Sequence, residues 1–129
     1  MILLDHNIPV DQATQLRRWR IRARHVGFQV GRPEWQDQEE LLRYLQAAKR
    51  ATLFTRDLGF FHVRFCHPSY CIVVLAGPVG ETATDTRWLL RSPPFRTQGR
   101  RSGCVIKVLP DKVLWRRFGT PGRFSLSRS

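Results

Sequence analysis

Two aspartates stand where their carboxylates could do metal or acid–base chemistry. Asp5 follows the apolar run at residues 1–4, and Asp57 follows the apolar run Ala51–Thr55. Short apolar runs are typical of strands buried in a parallel sheet, where functional side chains gather at the strands' carboxyl ends. If the two strands are neighbours, both carboxylates face one crevice.

Carboxylates that share a crevice repel each other, and a bound divalent cation offsets that repulsion. Oxygen ligands suit Mg²⁺ or Mn²⁺, and such an ion supplies hydroxide from water and neutralises charge on a phosphate. The pair Asp5 and Asp57 therefore predicts phosphoryl chemistry. The alternative is structural: Asp5 caps the helix that follows it, and Asp57 caps the segment at residues 58–61.

Other side chains that could take part have weaker arguments. Helix capping accounts fully for Asp37, and Glu40 lies on the first turn of the helix that Asp37 begins. The four histidines lack the spacing of a zinc site. The three cysteines contain no CxxC pair, which argues against a disulfide scaffold and for a reducing compartment.

The elements that must position these residues alternate along the chain. Further strands are predicted at residues 25–30, Tyr70–Leu75, 104–109 and 113–118, and helices after Pro9, at 37–48 and at 84–90. An exposed loop is predicted at residues 92–103 and a frayed tail at residues 120–129. The order predicts an α/β fold, with a mostly parallel sheet covered on both faces and a C-terminal antiparallel hairpin at its edge.

Composition narrows the class of protein. A chain of 129 residues is long enough for one compact domain without disulfides or a structural metal. Its longest apolar stretch, residues 71–76, is far shorter than the ~20 residues of a membrane helix. We therefore expect a cytoplasmic protein with no membrane partner.

The net charge of +12 predicts a polyanionic partner, with RNA as the first choice. Residues 87–129 hold 11 basic side chains and one acidic one, whereas the first 86 residues are close to neutral. A GC-rich genome that inflates arginine is the other explanation. The predicted RNA contacts are Arg17, Arg56, Arg96, Arg100, Arg101, Arg116 and Arg117.

Three short segments resemble the PIN-like nuclease family allied to VapC-type toxins. They are ILLDHNIP at residues 2–9, QEELLRY at residues 38–44 and LFTRD at residues 53–57. They follow one another in the family's order, and with the later strands the likeness spans most of residues 1–118. His6, Gln38 and Gly59 stand where the family often has acids.

The resemblance implies a Rossmann-like, three-layer α/β/α sandwich at residues 1–118. The composition of residues 119–129 separately predicts a basic, flexible tail. The resemblance also implies a metal-dependent endoribonuclease, of which the toxin of a toxin-antitoxin pair is one form. Asp5, Asp57 and either Asp37 or Glu40 would hold Mg²⁺ or Mn²⁺, and Asn7 would orient Asp5 or a metal-bound water. An acidic antitoxin-like protein and a second copy of the chain are further expected partners. The alternative is a catalytically silent PIN-like module that binds nucleic acid or protein through its arginines.

Overall fold

The computed structural model describes residues 1–26 and 38–128. Seven strands of these residues form one sheet in the order β2-β1-β3-β4-β5-β6-β7. They are β1 (Ile2–Leu4), β2 (Arg24–His25), β3 (Ala51–Thr55), β4 (Tyr70–Leu75), β5 (Cys104–Val108), β6 (Lys112–Arg117) and β7 (Thr120–Ser127). The fold is therefore α/β, as predicted, although the second strand is shorter than expected and residues 27–30 lie outside the described residues.

Four α-helices connect or flank these strands: α1 (Val10–Arg18), α2 (Gln38–Ala48), α3 (Thr82–Arg91) and the short α4 (Gln98–Arg101). Single 3₁₀ turns occur at Leu58–Phe60, Val63–Phe65, Val79–Glu81 and Pro93–Phe95. Among the described residues, no helix has the length and apolar character needed to cross a membrane.

The strands β1 to β5 run parallel, and β1 lies beside β3 in the register Leu4↔Phe54. The sequence-based condition that the strands before Asp5 and Asp57 be neighbours is therefore confirmed. All five parallel strands start at one end of the sheet, the amino end, and finish at the other, the carboxyl end. Each connecting helix begins near the carboxyl end and returns to the amino end.

Alternating residues of the central strands enter two apolar clusters. Phe54 and Val73 pack in one cluster with Leu16 of α1 and Leu89 of α3. Their neighbours Leu53 and Ile72 pack in the other, with Leu41 and Leu45 of α2. Because side chains alternate across a strand, both sides of β3 and β4 are buried, which is why their sequences are continuous apolar runs.

The prediction of an exposed loop at residues 92–103 is wrong. The segment contains a 3₁₀ turn and α4, and its buried residues are Ser92, Phe95, Arg101 and Gly103. The ring of Phe95 meets Trp115 edge to face, with 5.1 Å between ring centroids. Prolines and arginines suggested exposure, but the tertiary packing of one aromatic ring and one buried guanidinium orders the segment.

The predicted C-terminal hairpin, β5 with β6, is confirmed, but the predicted frayed tail is a strand. β7 pairs antiparallel with β6, and Phe124 stacks on Trp115 at 5.5 Å. Arg128 fastens the strand's end, since its Nη2 lies 3.0 Å from Asp85 Oδ1 and its guanidinium lies over the Trp88 ring. Every residue of β7 is exposed. Its apolar alternation is limited to residues 124–127, and Pro121 and Gly122 before them disfavour a strand.

Candidate functional site

Asp5 continues directly from β1 at the carboxyl end of the sheet. Its backbone N–H donates to the Phe54 carbonyl at 2.9 Å, which extends the pairing of β1 with β3 by one residue. The side chain is buried, and the residue is only 6 % exposed. Its Oδ1 accepts from the backbone N–H of His6 at 2.8 Å and lies 3.0 Å from His6 Nδ1, while Oδ2 accepts from the Thr55 hydroxyl at 2.7 Å.

The Thr55 hydroxyl is the junction between the two predicted site segments. It donates its one proton to Asp5, and it accepts from Asn7 Nδ2 at 3.2 Å and from the backbone N–H of Asp57 at 3.1 Å. One donor and two lone pairs are all that a hydroxyl offers. Thr55 is fully satisfied, so it fixes the Asp5 carboxylate, the Asn7 amide and the Asp57 backbone relative to one another.

Asn7 ties the two segments a second time. Its Oδ1 accepts from the backbone N–H of Arg56 at 2.9 Å, and its Nδ2 donates to the Thr55 hydroxyl. The side chain therefore acts on Asp5 through the threonine hydroxyl rather than by direct contact.

Asp57 is exposed and caps the 3₁₀ turn Leu58–Phe60. Its Oδ1 accepts from the backbone N–H of Gly59 at 2.9 Å, which is the structural role that the sequence also allowed. A Cβ at position 59 would lie 3.1 Å from that oxygen, so the small residue keeps the cap close. Because the residue is exposed, its second carboxylate oxygen is accessible to a ligand.

The Arg56 side chain crosses to the connection that follows β4. Its Nη2 donates to the Gly77 carbonyl at 2.8 Å, and its Nη1 lies 3.3 Å from Thr82 Oγ1. The guanidinium is thus held half-buried at the carboxyl end, where it adds positive charge beside the two aspartates.

Neither of the other predicted acids, Asp37 and Glu40, is shown to add a third carboxylate to Asp5 and Asp57. Asp37 lies outside the described residues. Glu40 is half-buried in the first turn of α2, but among residues 1–26 and 38–128 no three His, Cys, Asp or Glu side chains are placed to hold one metal ion. What the described residues offer is a pair, Asp5 and Asp57.

A pair of aspartates still suits one kind of cation. Mg²⁺ keeps several of its waters and is commonly held by one or two carboxylates together with a substrate phosphate. Asp57 presents an accessible oxygen for this purpose, whereas both oxygens of Asp5 already accept hydrogen bonds from the protein. Of the two carboxylates, the exposed one of Asp57 is therefore the better candidate for a cation ligand.

The predicted RNA contacts lie mostly away from the aspartates. Arg17, at the end of α1, and Arg96 and Arg100, before β5, are exposed. Arg117 lies beside Cys104, where β5 starts, and Arg116 is the half-buried residue before it. These positions are at the amino end of the sheet, and of the predicted contacts only Arg56 is at the carboxyl end.

Arg101 is a correction to the predicted RNA surface, because it is 6 % exposed. Its Nε donates to Thr52 Oγ1 at 3.0 Å, and its Nη1 donates to the Phe95 carbonyl at 2.8 Å. Burial lowers the pKa of its guanidinium. The side chain holds α4 against β3 and does not face solvent.

Three residues at the carboxyl end were not singled out from the sequence. Thr55 could have been, since it precedes Asp57 in the family-like segment and ends a buried strand. His6 was noted only as a departure, although its ring contacts Asp5. Asp85 lies in α3 and packs against Gly77, the glycine that follows β4. A Cβ on Gly77 would lie 2.8 Å from Asp85 Oδ2, and the local sequence gives no sign of this contact.

The cysteines are free thiols, with Cys71 and Cys104 buried and Cys66 half-buried. Burial raises the pKa of each of the three thiols. A raised pKa disfavours the thiolate, which is the nucleophilic form of cysteine.

The protein has an α/β fold, with Asp5 and Asp57 at the carboxyl ends of adjacent parallel strands. Comparisons with protein-family models, with curated proteins and with solved structures give no match. Any assignment of activity must therefore come from the residues themselves.

Proposed function

We propose that the protein is a PIN-like, three-layer α/β/α endoribonuclease that uses Mg²⁺ or Mn²⁺ at Asp5 and Asp57. One observation carries the proposal: a single hydroxyl, that of Thr55, joins the Asp5 carboxylate to the backbone of Asp57. This hydroxyl supports the proposal because it fixes the Asp5 carboxylate relative to the Asp57 backbone, at the end of the sheet where α/β proteins bind ligands.

Each side chain has a distinct part in this proposal. The bound cation supplies a nucleophilic hydroxide and charge neutralisation at the phosphate. Asp57 offers its accessible oxygen as a ligand, and Asp5, fixed by Thr55 and His6, orients water. Asn7 is a positioning residue, and the Arg56 guanidinium lowers the repulsion between the aspartates and an incoming phosphate.

The test is RNA cleavage in Mn²⁺, compared with EDTA, for wild type and for the variants Asp5→Asn and Asp57→Asn. Loss of either carboxylate should reduce cleavage by about 100-fold or more, the scale seen when one group that stabilises a transition-state charge is removed. Asp11→Asn is the matched control, because Asp11 is an exposed acid in the first turn of α1 at the same end of the sheet. If both Asp5→Asn and Asp57→Asn still cleave RNA in Mn²⁺ as wild type does, the proposed site is wrong.

Mn²⁺ binding gives a readout that does not need activity. Calorimetric titration of wild type should show an ion bound with weak affinity, and Asp57→Asn should lose it. Binding that persists in Asp57→Asn but disappears in Asp11→Asn contradicts the ligand assignment.

A catalytically silent module that binds RNA or a protein partner is the second candidate. It is favoured by one observation, that both Asp5 oxygens are occupied by His6 and Thr55. Wild-type protein that binds RNA tightly but does not cleave it in Mn²⁺ would select this candidate.

A further inference from the structure

A groove of about 770 Å³ lies at the amino end of the sheet, between the end of α1 and the start of β1. Four arginines line it, together with an apolar floor. The arginines are Arg17, Arg20, Arg22 and Arg24, and the floor includes Ile2, Ile21 and Ala23. All four arginines are exposed.

The end of α1 sets the direction of this segment. The Ile21 N–H donates to the Leu16 carbonyl at 3.0 Å, and the Arg20 N–H donates to the Arg17 carbonyl at 2.9 Å. These two bonds form a Schellman motif, which requires a left-handed residue at the position of Arg20. Arg20 adopts it, with φ of 63°, at a position where glycine is the usual and less strained residue.

Basic residues with positive φ also occur elsewhere at the amino end of the sheet. The non-glycine residues with positive φ in the described chain are Arg20, Lys49 and Arg50. All three are cations, and Lys49 and Arg50 join α2 to the start of β3. A strained backbone position that carries a charged side chain is a reason to look for function there.

Among the described residues, ion pairs do not balance the groove's positive charge. The carboxylates of residues 1–26 and 38–128 pair with His6, Arg43 and Arg128, none of which lines the groove. Cations in the last turn of a helix interact favourably with the helix dipole, which explains in part why Arg17 lies at the end of α1. Arg22 and Arg24 lie beyond the helix, with Arg24 at the start of β2, and the helix end does not explain them.

We propose that this groove binds the phosphate backbone of a single RNA strand. Guanidinium groups match phosphate oxygens in paired hydrogen bonds and also stack on bases. Exposed guanidinium planes beside an apolar lining suit a ligand that offers both phosphates and flat rings. The apolar floor gives the sugars and bases a surface to cover.

The groove is separate from the aspartate site. β3 alone, with five residues, separates the two ends of the sheet by roughly 15 Å at about 3.3 Å per residue. The proposal shares with the proposed function only its choice of RNA, and it stands whether or not the protein cleaves RNA.

The test measures fluorescence anisotropy of a short labelled oligouridylate in EDTA, where metal-dependent cleavage is absent. The double variant Arg22→Gln, Arg24→Gln should bind at least about tenfold more weakly. The slope of log K against log salt should become shallower by roughly 0.7 for each phosphate that the variant no longer neutralises. Arg91→Gln, Arg123→Gln is the matched control, since both arginines are exposed and lie outside the groove. Equally weakened binding in the two double variants would overturn the proposal.

Arg20 separates binding from a purely structural role. Arg20→Gly and Arg20→Ala both remove the charge, but only glycine relieves the strain. We expect both variants to bind RNA more weakly by the same factor, while Arg20→Gly melts at a higher temperature than Arg20→Ala. Unchanged RNA affinity in both variants contradicts a role for Arg20 in the groove.

Competition identifies the class of ligand. Unlabelled oligouridylate should displace the probe at far lower concentration of charge than poly-glutamate does. If poly-glutamate competes equally well, the groove is a site for acidic polypeptide and the RNA proposal is wrong. Binding by Asp11→Asn, at the opposite end of the sheet, should equal that of wild type.

Discussion

Acidic side chains gather at the carboxyl end of the parallel sheet, whereas a large group of cations lies at the amino end. Of the ten acidic residues in the chain, the eight in the described residues follow the ends of strands or lie near the starts of helices, all at the carboxyl end. They are Asp5, Asp11, Glu39, Glu40, Asp57, Glu81, Asp85 and Asp111. The amino end carries the groove arginines, Lys49, Arg50 and the arginines around α4. A net charge of +12 is thus the sum of two distinct surfaces.

Helix electrostatics explain part of this separation. Acids in the first turn of a helix and cations in the last turn each stabilise it by about 0.3–1 kcal/mol, and α1 shows both, with Asp11 at its start and Arg17 and Arg18 at its end. This effect does not account for Asp5 and Asp57 at strand ends, or for Arg22 and Arg24 beyond α1. The two sites therefore include charges that helix ends do not explain.

Two threonines of β3 show the same contrast inside the protein. Thr55 is at the carboxyl end, and its hydroxyl donates to the Asp5 carboxylate. Thr52 is at the amino end, where its hydroxyl accepts from Arg101 Nε and donates to Gln98 Oε1 at 2.8 Å. Both threonines are fully buried, and each connects β3 to the charged group of its own end.

The largest effect on stability is expected at Arg101. Replacing it with Met leaves the Phe95 carbonyl and the Thr52 hydroxyl without their charged donor, and buried groups left in this way cost about 3 kcal/mol in the free energy of unfolding. Urea denaturation measures the change. Arg100→Met, which alters an exposed neighbour, should change stability by less than about 0.5 kcal/mol. If Arg101→Met keeps its stability but loses RNA affinity, Arg101 contacts RNA and its structural role is wrong.

The threonine pair gives an intermediate effect and the sharpest comparison. Thr55→Val and Thr52→Val each remove one buried hydroxyl and should each lower the free energy of unfolding by about 1–3 kcal/mol. Only Thr55→Val frees the Asp5 carboxylate, so only this variant should lose Mn²⁺-dependent cleavage of RNA. If both variants, assayed well below their melting temperatures, lose cleavage equally, the loss reflects general destabilisation and Thr55 has no special link to the site.

Local sequence was enough to predict the central strands and the strand-end position of both aspartates. β3 and β4 are continuous apolar runs because both of their faces are buried, and the structure has them at the predicted residues. The hairpin β5 with β6 followed from two such runs separated by Pro110 and its neighbours. Strand adjacency then decides which strand ends meet, and β1 beside β3 is the arrangement that the site required.

What sequence could not predict depends on contacts between distant residues. The order of residues 92–103 rests on Phe95 against Trp115 and on Arg101 reaching Thr52 in another strand. The division of charge between the two ends depends on the direction of each element, so a count along the chain placed the cations in its last third. In the structure, the arginines at the end of α1, in the first third of the chain, lie at the same amino end of the sheet.

The smallest expected effect concerns Lys49, which follows α2 with φ of 50°. Lys49→Gly should raise the free energy of unfolding by about 0.5–1 kcal/mol relative to Lys49→Ala, because only glycine adopts this conformation without a clash of Cβ. Both variants remove the same charge, so thermal or urea denaturation isolates the strain, and RNA binding isolates the charge. Weaker binding in both variants would extend the RNA surface from the groove toward β3. Unchanged binding would limit the surface to the segment after α1, and the cation at position 49 would then serve only the end of its own helix.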